Sequence, residues 1–315
     1  VTPLVVAAVL VAAVTHASWN ALAHHIKDQL LAFTLVGAGG ALCGLALACF
    51  APLPAREAWP ALGVSAALHV VYQVLLMRSF GLGDFGQMYP IARGTAPLVV
   101  TVLAALFLQE LPDAWQLTGV AVASAGLLGV ALWGIRGGGT PAPDPAASAS
   151  SSDAASASSS SDAASAAPAS SASARRPALV AAVATGLAIA SYTVVDGAGV
   201  RASGSALAYL AWLMLLQSLV IPAYAAATRR RALLVQLRPL WIRGLTAGAL
   251  SLAAYGLVLW AQTRAPLAPV AALRESSIIA GAVIGALFFK ERFGTPRVAA
   301  SALMVGGIAL MLHGG

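Results

Sequence analysis

The feature that most constrains this chain is the spacing of its charges. Arginine, lysine, aspartate and glutamate fall in short clusters, such as Arg229 to Arg231 and Lys290 to Arg292, separated by apolar stretches of roughly 20 residues. At 1.5 Å per residue, such a stretch is a helix just long enough to cross a hydrocarbon layer about 30 Å thick. A water-exposed surface cannot be built from what remains, because only 9% of the 315 residues are charged and 59% are hydrophobic, where a soluble domain carries about 25% charged residues. The apolar runs predict ten membrane-spanning helices, near residues 3–23, 30–51, 59–80, 86–108, 114–135, 177–198, 205–227, 239–262, 268–289 and 295–313. The first run lacks a basic segment ahead of it and is read as a retained helix rather than a cleaved signal peptide.

Between the fifth and sixth runs, Gly137 to Ala174 consists almost wholly of Ser, Ala, Pro and Gly with three Asp. It has too little apolar bulk to offset the entropy of folding, which predicts a disordered linker over 137–176. The linker separates two five-helix halves, 1–136 and 177–315, that echo one another. Phe107-Leu108-Gln109-Glu110 returns as Phe288-Phe289-Lys290-Glu291, Arg93 matches Arg274 and Gly126 matches Gly307 at the same offset, and Ser18-Trp19 is echoed by Ser191-Tyr192. An odd number of helices per half forces the halves into opposite orientations. The expected fold class is therefore an all-α integral membrane protein of about ten helices in two inverted five-helix repeats, with a substrate site near the midplane where the repeats meet.

The five-plus-five plan, the Phe-Leu-x-Glu ending of the fourth helix, its echo ending the ninth, and the Gly-rich fifth and tenth helices resemble the drug/metabolite transporter superfamily, in its EamA-type ten-helix branch. The resemblance covers the chain apart from the linker, whose length and Ser/Ala composition depart from the family's usual short connection. It implies movement of small metabolites without ATP hydrolysis, and both termini in the cytoplasm. The loop charges point the other way. About a dozen Lys and Arg follow odd-numbered spans, including Lys27, Arg136, Arg175, Arg176, Arg238, Arg243 and Arg297, against Arg56, Arg201 and Arg264 after even-numbered ones. Positive loops stay inside, which places both termini outside. The charge count is the reading preferred here, with the protein in the plasma (inner) membrane and both termini on one side.

Charges within apolar spans carry most information about function, since each costs at least about 2.5–3.5 kcal/mol unless paired or hydrated. Arg93 in the fourth span and Arg274 with Glu275 in the ninth stand out. They read as anchors for a substrate, with Glu275 as the proton-coupling candidate; alternatively, Glu275 neutralises Arg93 as a buried tie between the halves. His16, Trp19 and Asn20 on the first span, and His69, Tyr72 and Gln73 on the third, each share one helix face. With Tyr89, Ser191, Tyr192 and Tyr255 they outline a polar and aromatic cavity, because lipid offers such groups no partner. His16 and His69 taken singly also fit histidines satisfied by a neighbouring helix. Pro90 and Pro97 flank Arg93, and Pro266 and Pro269 precede Arg274, which predicts interrupted helices at both arginines. Trp59, Trp133 and Trp241 read as interfacial belt residues. The small residues from Gly37 to Gly44, and Gly281 with Gly285, read as helix-packing surfaces.

The chain has no GxxxxGK[ST] phosphate loop, no HExxH, no G-x-S-x-G and no potassium-type filter. Cys43 and Cys49 share one span, facing apart, without metal-ligand spacing. The net charge of +7 lies at span ends facing lipid head groups rather than in a nucleic-acid-binding patch. No enzyme activity, cofactor, metal or nucleic-acid partner is expected; the partners are a small-molecule substrate and the bilayer, for a monomer or homodimer. The residues therefore point to a secondary transporter that moves a small anionic or zwitterionic metabolite by alternating access, with proton coupling. The competing reading is a non-transporting membrane scaffold or chaperone that binds partner helices.

Overall fold

In the computed structural model the described residues are 1–24, 26, 28–82, 85–136, 169–280, 283 and 295–313. The linker 137–168, the motif at 288–291, and Gly281 and Gly285 lie outside them. Twelve helices are described: α1 (Pro3–His24), α2 (Gln29–Ala48), α3 (Trp59–Leu82), α4 (Phe85–Leu108), α5 (Ala114–Arg136), α6 (Ala169–Ala202), α7 (Ala206–Ser218), α8 (Val220–Arg229), α9 (Arg231–Leu237), α10 (Trp241–Gln262), α11 (Leu267–Arg274) and α12 (Thr295–His313). Among the described residues seven stretches are long and apolar enough to cross a membrane, and Ala114–Gly129 and Val298–His313 add shorter apolar helices. Large apolar side chains such as Leu4, Val102, Leu106, Phe107 and Val180 stand exposed on the outside of the bundle, as expected where the surrounding solvent is lipid.

Local sequence explains where helices start. Asp28 caps α2 by accepting from the Leu31 N–H at 3.1 Å, Ser205 caps α7 through Ala208, and Asp113 accepts from Gln116 at 2.7 Å at the start of α5. α6 starts at Ala169, earlier than the expected 177, because the Ala-rich end of the linker extends the helix at almost no side-chain entropy cost. The seventh span is divided at Leu219 into α7 and α8. Pro222 has no N–H to give the Ser218 carbonyl, and Gly37 of α2 comes so close there that a Cβ would stand 3.0 Å from that oxygen.

The halves exchange partners in a reciprocal way. α1 packs on α10 and α11 while α6 packs on α3 and α4; α2 lies against α7 and α8, and α5 against α12. A two-fold relation between inverted repeats requires this pattern. Glycines make the close contacts. Gly39 fits against Gly244 and Gly248 receives Gly39 and Gly40, while Gly119 of α5 and Gly307 of α12 meet backbone to backbone. The matched residues Gly126 and Gly307 both lie in the α5–α12 seam, and Ser18 and Ser191 both return their hydroxyls to the carbonyl four residues earlier.

The prolines act differently from expectation. α4 runs unbroken through Arg93 despite Pro90 and Pro97, and Pro266 and Pro269 sit at the cap and first turn of α11, where a missing N–H costs nothing. The ninth span is interrupted instead at Glu275 and Ser276. Their N–H groups bond three residues back, to Ala272 and Leu273, as does that of Ile278 to Glu275, before four-residue helical bonding resumes at Ala280. Arg274 and Glu275 thus sit at a break in the helix, whereas Arg93 does not.

Candidate functional site

A cavity of about 280 Å3 lies between the halves. α1 contributes His16, Trp19 and Asn20, α3 contributes His69, Tyr72 and Gln73, α6 Tyr192, α10 Tyr255 and Ser251, and α11 Arg274. Gln29 and Phe33 of α2 and Met214, Gln217 and Ser218 of α7 complete the wall. The exposed Gln29 begins α2 on the face where α1 ends, so the cavity reaches that face, called here the second face. Towards the first face, where α1 begins, it is closed by fully buried Leu62, Tyr209, Leu213 and Leu259.

Nine of the expected site residues line this cavity: His16, Trp19, Asn20, His69, Tyr72, Gln73, Tyr192, Tyr255 and Arg274. Ser191 does not, its hydroxyl being turned back to the Leu187 carbonyl at 2.8 Å. The side chain of Tyr89 lies outside the described residues. Arg93 and Glu275 are 1% and 3% exposed and do not line the cavity. Arg93 Nε pairs with Glu275 Oε2 at 2.8 Å, and Arg93 Nη2 donates to Ser277 Oγ at 2.9 Å. This pair joins the two halves across the midplane.

Arg274 carries the only permanent charge among the described residues of the wall. Its Nη2 donates to the Tyr192 hydroxyl at 2.7 Å, and its guanidinium lies 5.8 Å from the ring centroids of both Tyr192 and Tyr255. Opposite, Trp19 Nε1 donates to His16 Nδ1 at 3.3 Å, so that nitrogen holds no proton and the imidazole is neutral, with its N–H at Nε2. Asn20 donates to the His16 carbonyl, leaving its amide oxygen available. Gln217 is 5% exposed and its Nε2 donates to Met214 Sδ, while its buried amide oxygen has no hydrogen-bond partner. The wall thus offers one cation, unpaired amide oxygen and stacked aromatic faces, a set suited to a compact anion or zwitterion with some apolar body.

Of the groups missed in the sequence, which include Gln29, Phe33, Met214, Ser218 and Ser251 of the wall, two bear most on the chemistry. Gln217 resembles any polar residue near a span end. Asp196 is the more informative omission: it is fully buried, accepts from the Tyr209 hydroxyl at 2.9 Å and from the Tyr255 hydroxyl, and faces His69 Nε2 at 3.9 Å. A span ending at 198 would let this acid reach water, but α6 continues to Ala202 and buries it. The cost of a lone intramembrane carboxylate was the available signal.

A family model for the EamA-like transporter family matches residues 176–313. One solved crystal structure of a protein 15% identical in sequence aligns with a TM-score of 0.63 over 98% of this chain and 96% of its own, a likeness of fold alone. No curated protein matches the chain.

Proposed function

We propose that this multi-pass membrane protein, whose residues 176–313 match the model of the EamA-like transporter family, is a secondary transporter that moves a small anionic or zwitterionic metabolite by alternating access. The observation that carries this reading is Arg274: a permanent cation at a helix break, in a cavity that reaches one face and is closed to the other. A charge there is worth its desolvation cost only if something pairs with it, and among the described residues the wall supplies no carboxylate. A carboxylate or phosphate of the substrate completes the pair, and the amide oxygens of Gln217 and Asn20 accept from its N–H groups. A membrane scaffold would gain nothing from a cation turned into such a space.

In this reading Arg93 and Glu275 are the tie about which the halves rearrange, and transport is coupled to protons. The second face carries Arg229, Arg230, Arg231, Arg238 and Arg243 and is cytoplasmic by the loop charges, so the cavity faces the cytoplasm of a plasma membrane protein. The test is an untargeted comparison of metabolites in cells with and without the gene, followed by uptake of the metabolite that changes into liposomes containing the purified protein. Accumulation dependent on Arg274 is expected. Equal metabolite profiles and no uptake would overturn the reading.

A further inference from the structure

Beneath the Arg274 pocket lies a second polar cluster that substrate binding alone does not use. We propose that Asp196 and His69 form a proton-binding site, linked to the anion site at Arg274 so that one proton is taken up for each negative charge bound there; this rests on the transport reading above. Asp196 of α6 is fully buried, with the Tyr209 hydroxyl of α7 on Oδ1 and the Tyr255 hydroxyl of α10 on Oδ2. His69 of α3 approaches from the cavity side. Its Nδ1 lies 2.9 Å from the Ser65 carbonyl and 3.2 Å from the Ser65 hydroxyl; the carbonyl can only accept, and in the tautomer that satisfies it Nδ1 carries the proton. Nε2 is then a bare lone pair facing Asp196 Oδ2 at 3.9 Å. In that tautomer two acceptors face each other, and a single proton placed on either satisfies both.

The charges around the site make the linkage specific. From the elements packed against α6 come His69 (α3), Tyr209 (α7), Tyr255 (α10), Arg274 (α11) and Arg93 (α4), the last held by Glu275; Arg56 and Glu57, in the turn ahead of α3, are exposed. With both histidines neutral, Arg93 and Arg274 balance Asp196 and Glu275 in the buried interior. An anion arriving at Arg274 leaves one uncompensated negative charge, and a proton from cavity water moving onto the Asp196 and His69 pair removes it. The connection is short. Tyr192 receives Arg274 on its hydroxyl and stacks on the His69 ring at 3.9 Å, while Tyr255 contacts both His69 and Asp196.

The site can be read without a substrate. The full chain is reconstituted in liposomes and titrated with acid under infrared difference spectroscopy, following the carboxylic acid C=O band of a buried group. The wild-type band is expected to vanish in Asp196→Asn and to persist in Glu275→Gln. In Arg274→Gln, which mimics neutralisation by a bound anion, the band is expected to appear at higher pH than in wild type. Where Asp196→Asn does not yield folded protein, Tyr255→Phe takes its place, and loss of one hydrogen bond to the carboxylate must move both the band frequency and the pH at which it appears. A band that survives Asp196→Asn, disappears in Glu275→Gln, or ignores both Arg274→Gln and Tyr255→Phe overturns the proposal. Such a failure leaves the transport reading standing, and absence of transport would leave this titration unchanged.

Discussion

Arg201 of α6 and Glu110, just beyond α4, form an ion pair at the first face. The same guanidinium donates to the carbonyls of Gln262 at 2.8 Å and Ala265 at 3.1 Å, and the second oxygen of Glu110 accepts the Leu267 N–H at 2.7 Å. Glu110, the acid of the Phe-Leu-x-Glu motif, therefore fastens the end of α4 to the start of α11 and to α6. Under the alternating-access reading proposed above, this knot is the contact that would hold the first face shut.

Glu110→Gln is expected to release it. Charge-assisted hydrogen bonds contribute about 1.5–3 kcal/mol each, so losing one should raise the population open to the first face by roughly tenfold or more. A single cysteine at Ala66, buried between the first face and the cavity, in a background without Cys43 and Cys49, should then react correspondingly faster with an impermeant maleimide applied to that face. Unchanged labelling would show that the knot is not a gate.

Span positions were legible because the bilayer fixes helix length: α1, α3, α4, α5 and α12 begin and end within two residues of expectation. The reciprocal packing was legible from the echoes of Arg93 in Arg274 and Gly126 in Gly307. What separates the two arginines was not. Both look alike along the chain, yet only Arg274 adjoins a helix break and faces the cavity, because Pro97 is absorbed within α4 while the ninth span tightens at Glu275 and Ser276. Asp196 was hidden by a span end placed a turn too early, an error that converts a buried acid into an interfacial one.

The adjacent glycines of α12 should respond oppositely to the same change. A Cβ at Gly307 would stand 2.6 Å from the Gly119 carbonyl oxygen and 2.7 Å from the Ala123 nitrogen, whereas one at Gly306 meets nothing within 4 Å. Gly307→Ala should force α5 and α12 apart at a cost of about 1–3 kcal/mol, and Gly306→Ala should be neutral or slightly stabilising. Melting temperatures of the two variants in one detergent decide this, and similar values would contradict the seam.

Acid should weaken the contact of α2 with α8. Arg229 donates to Asp28, at 2.9 Å from Nη2 to Oδ1, and holds that carboxyl below its ordinary value. A group lowered on folding adds stability above its unfolded value and loses it as pH falls through the lower folded one. Detergent stability of the wild type should therefore decline on acidification below the usual carboxylate range, by a modest amount since the pair is partly exposed. Asp28→Asn should be less stable at neutral pH and lack this part of the decline. Parallel curves for the two proteins would remove the pair from the account.

Orientation is testable with two labels. Thr228, near the end of α8, and Leu53, between α2 and α3, are both exposed and lie on opposite faces. With the arginine-rich face inside, a single cysteine at Leu53 should react with impermeant reagent in intact cells and one at Thr228 only after permeabilisation. The reverse pattern would place the termini in the cytoplasm and turn the cavity outward.

The two buried arginines provide the last test, because they occupy matched positions but different surroundings. Removing one member of a buried ion pair leaves an uncompensated charge, at a cost of about 3–5 kcal/mol, and Arg93 is bound in this way to Glu275 and Ser277. Arg93→Ala and Glu275→Gln should therefore lower the detergent melting temperature strongly, and combining Arg93→Gln with Glu275→Gln should recover much of the loss. Arg274 instead faces the cavity and is held by the Tyr192 hydroxyl, so Arg274→Ala should melt close to wild type while liposome uptake of the metabolite identified in the cell comparison disappears. Arg274→Lys keeps the charge but not the planar fork, and should retain weaker uptake if charge is what binds the substrate. The assignment fails if Arg274→Ala unfolds like Arg93→Ala, or if it folds and still transports.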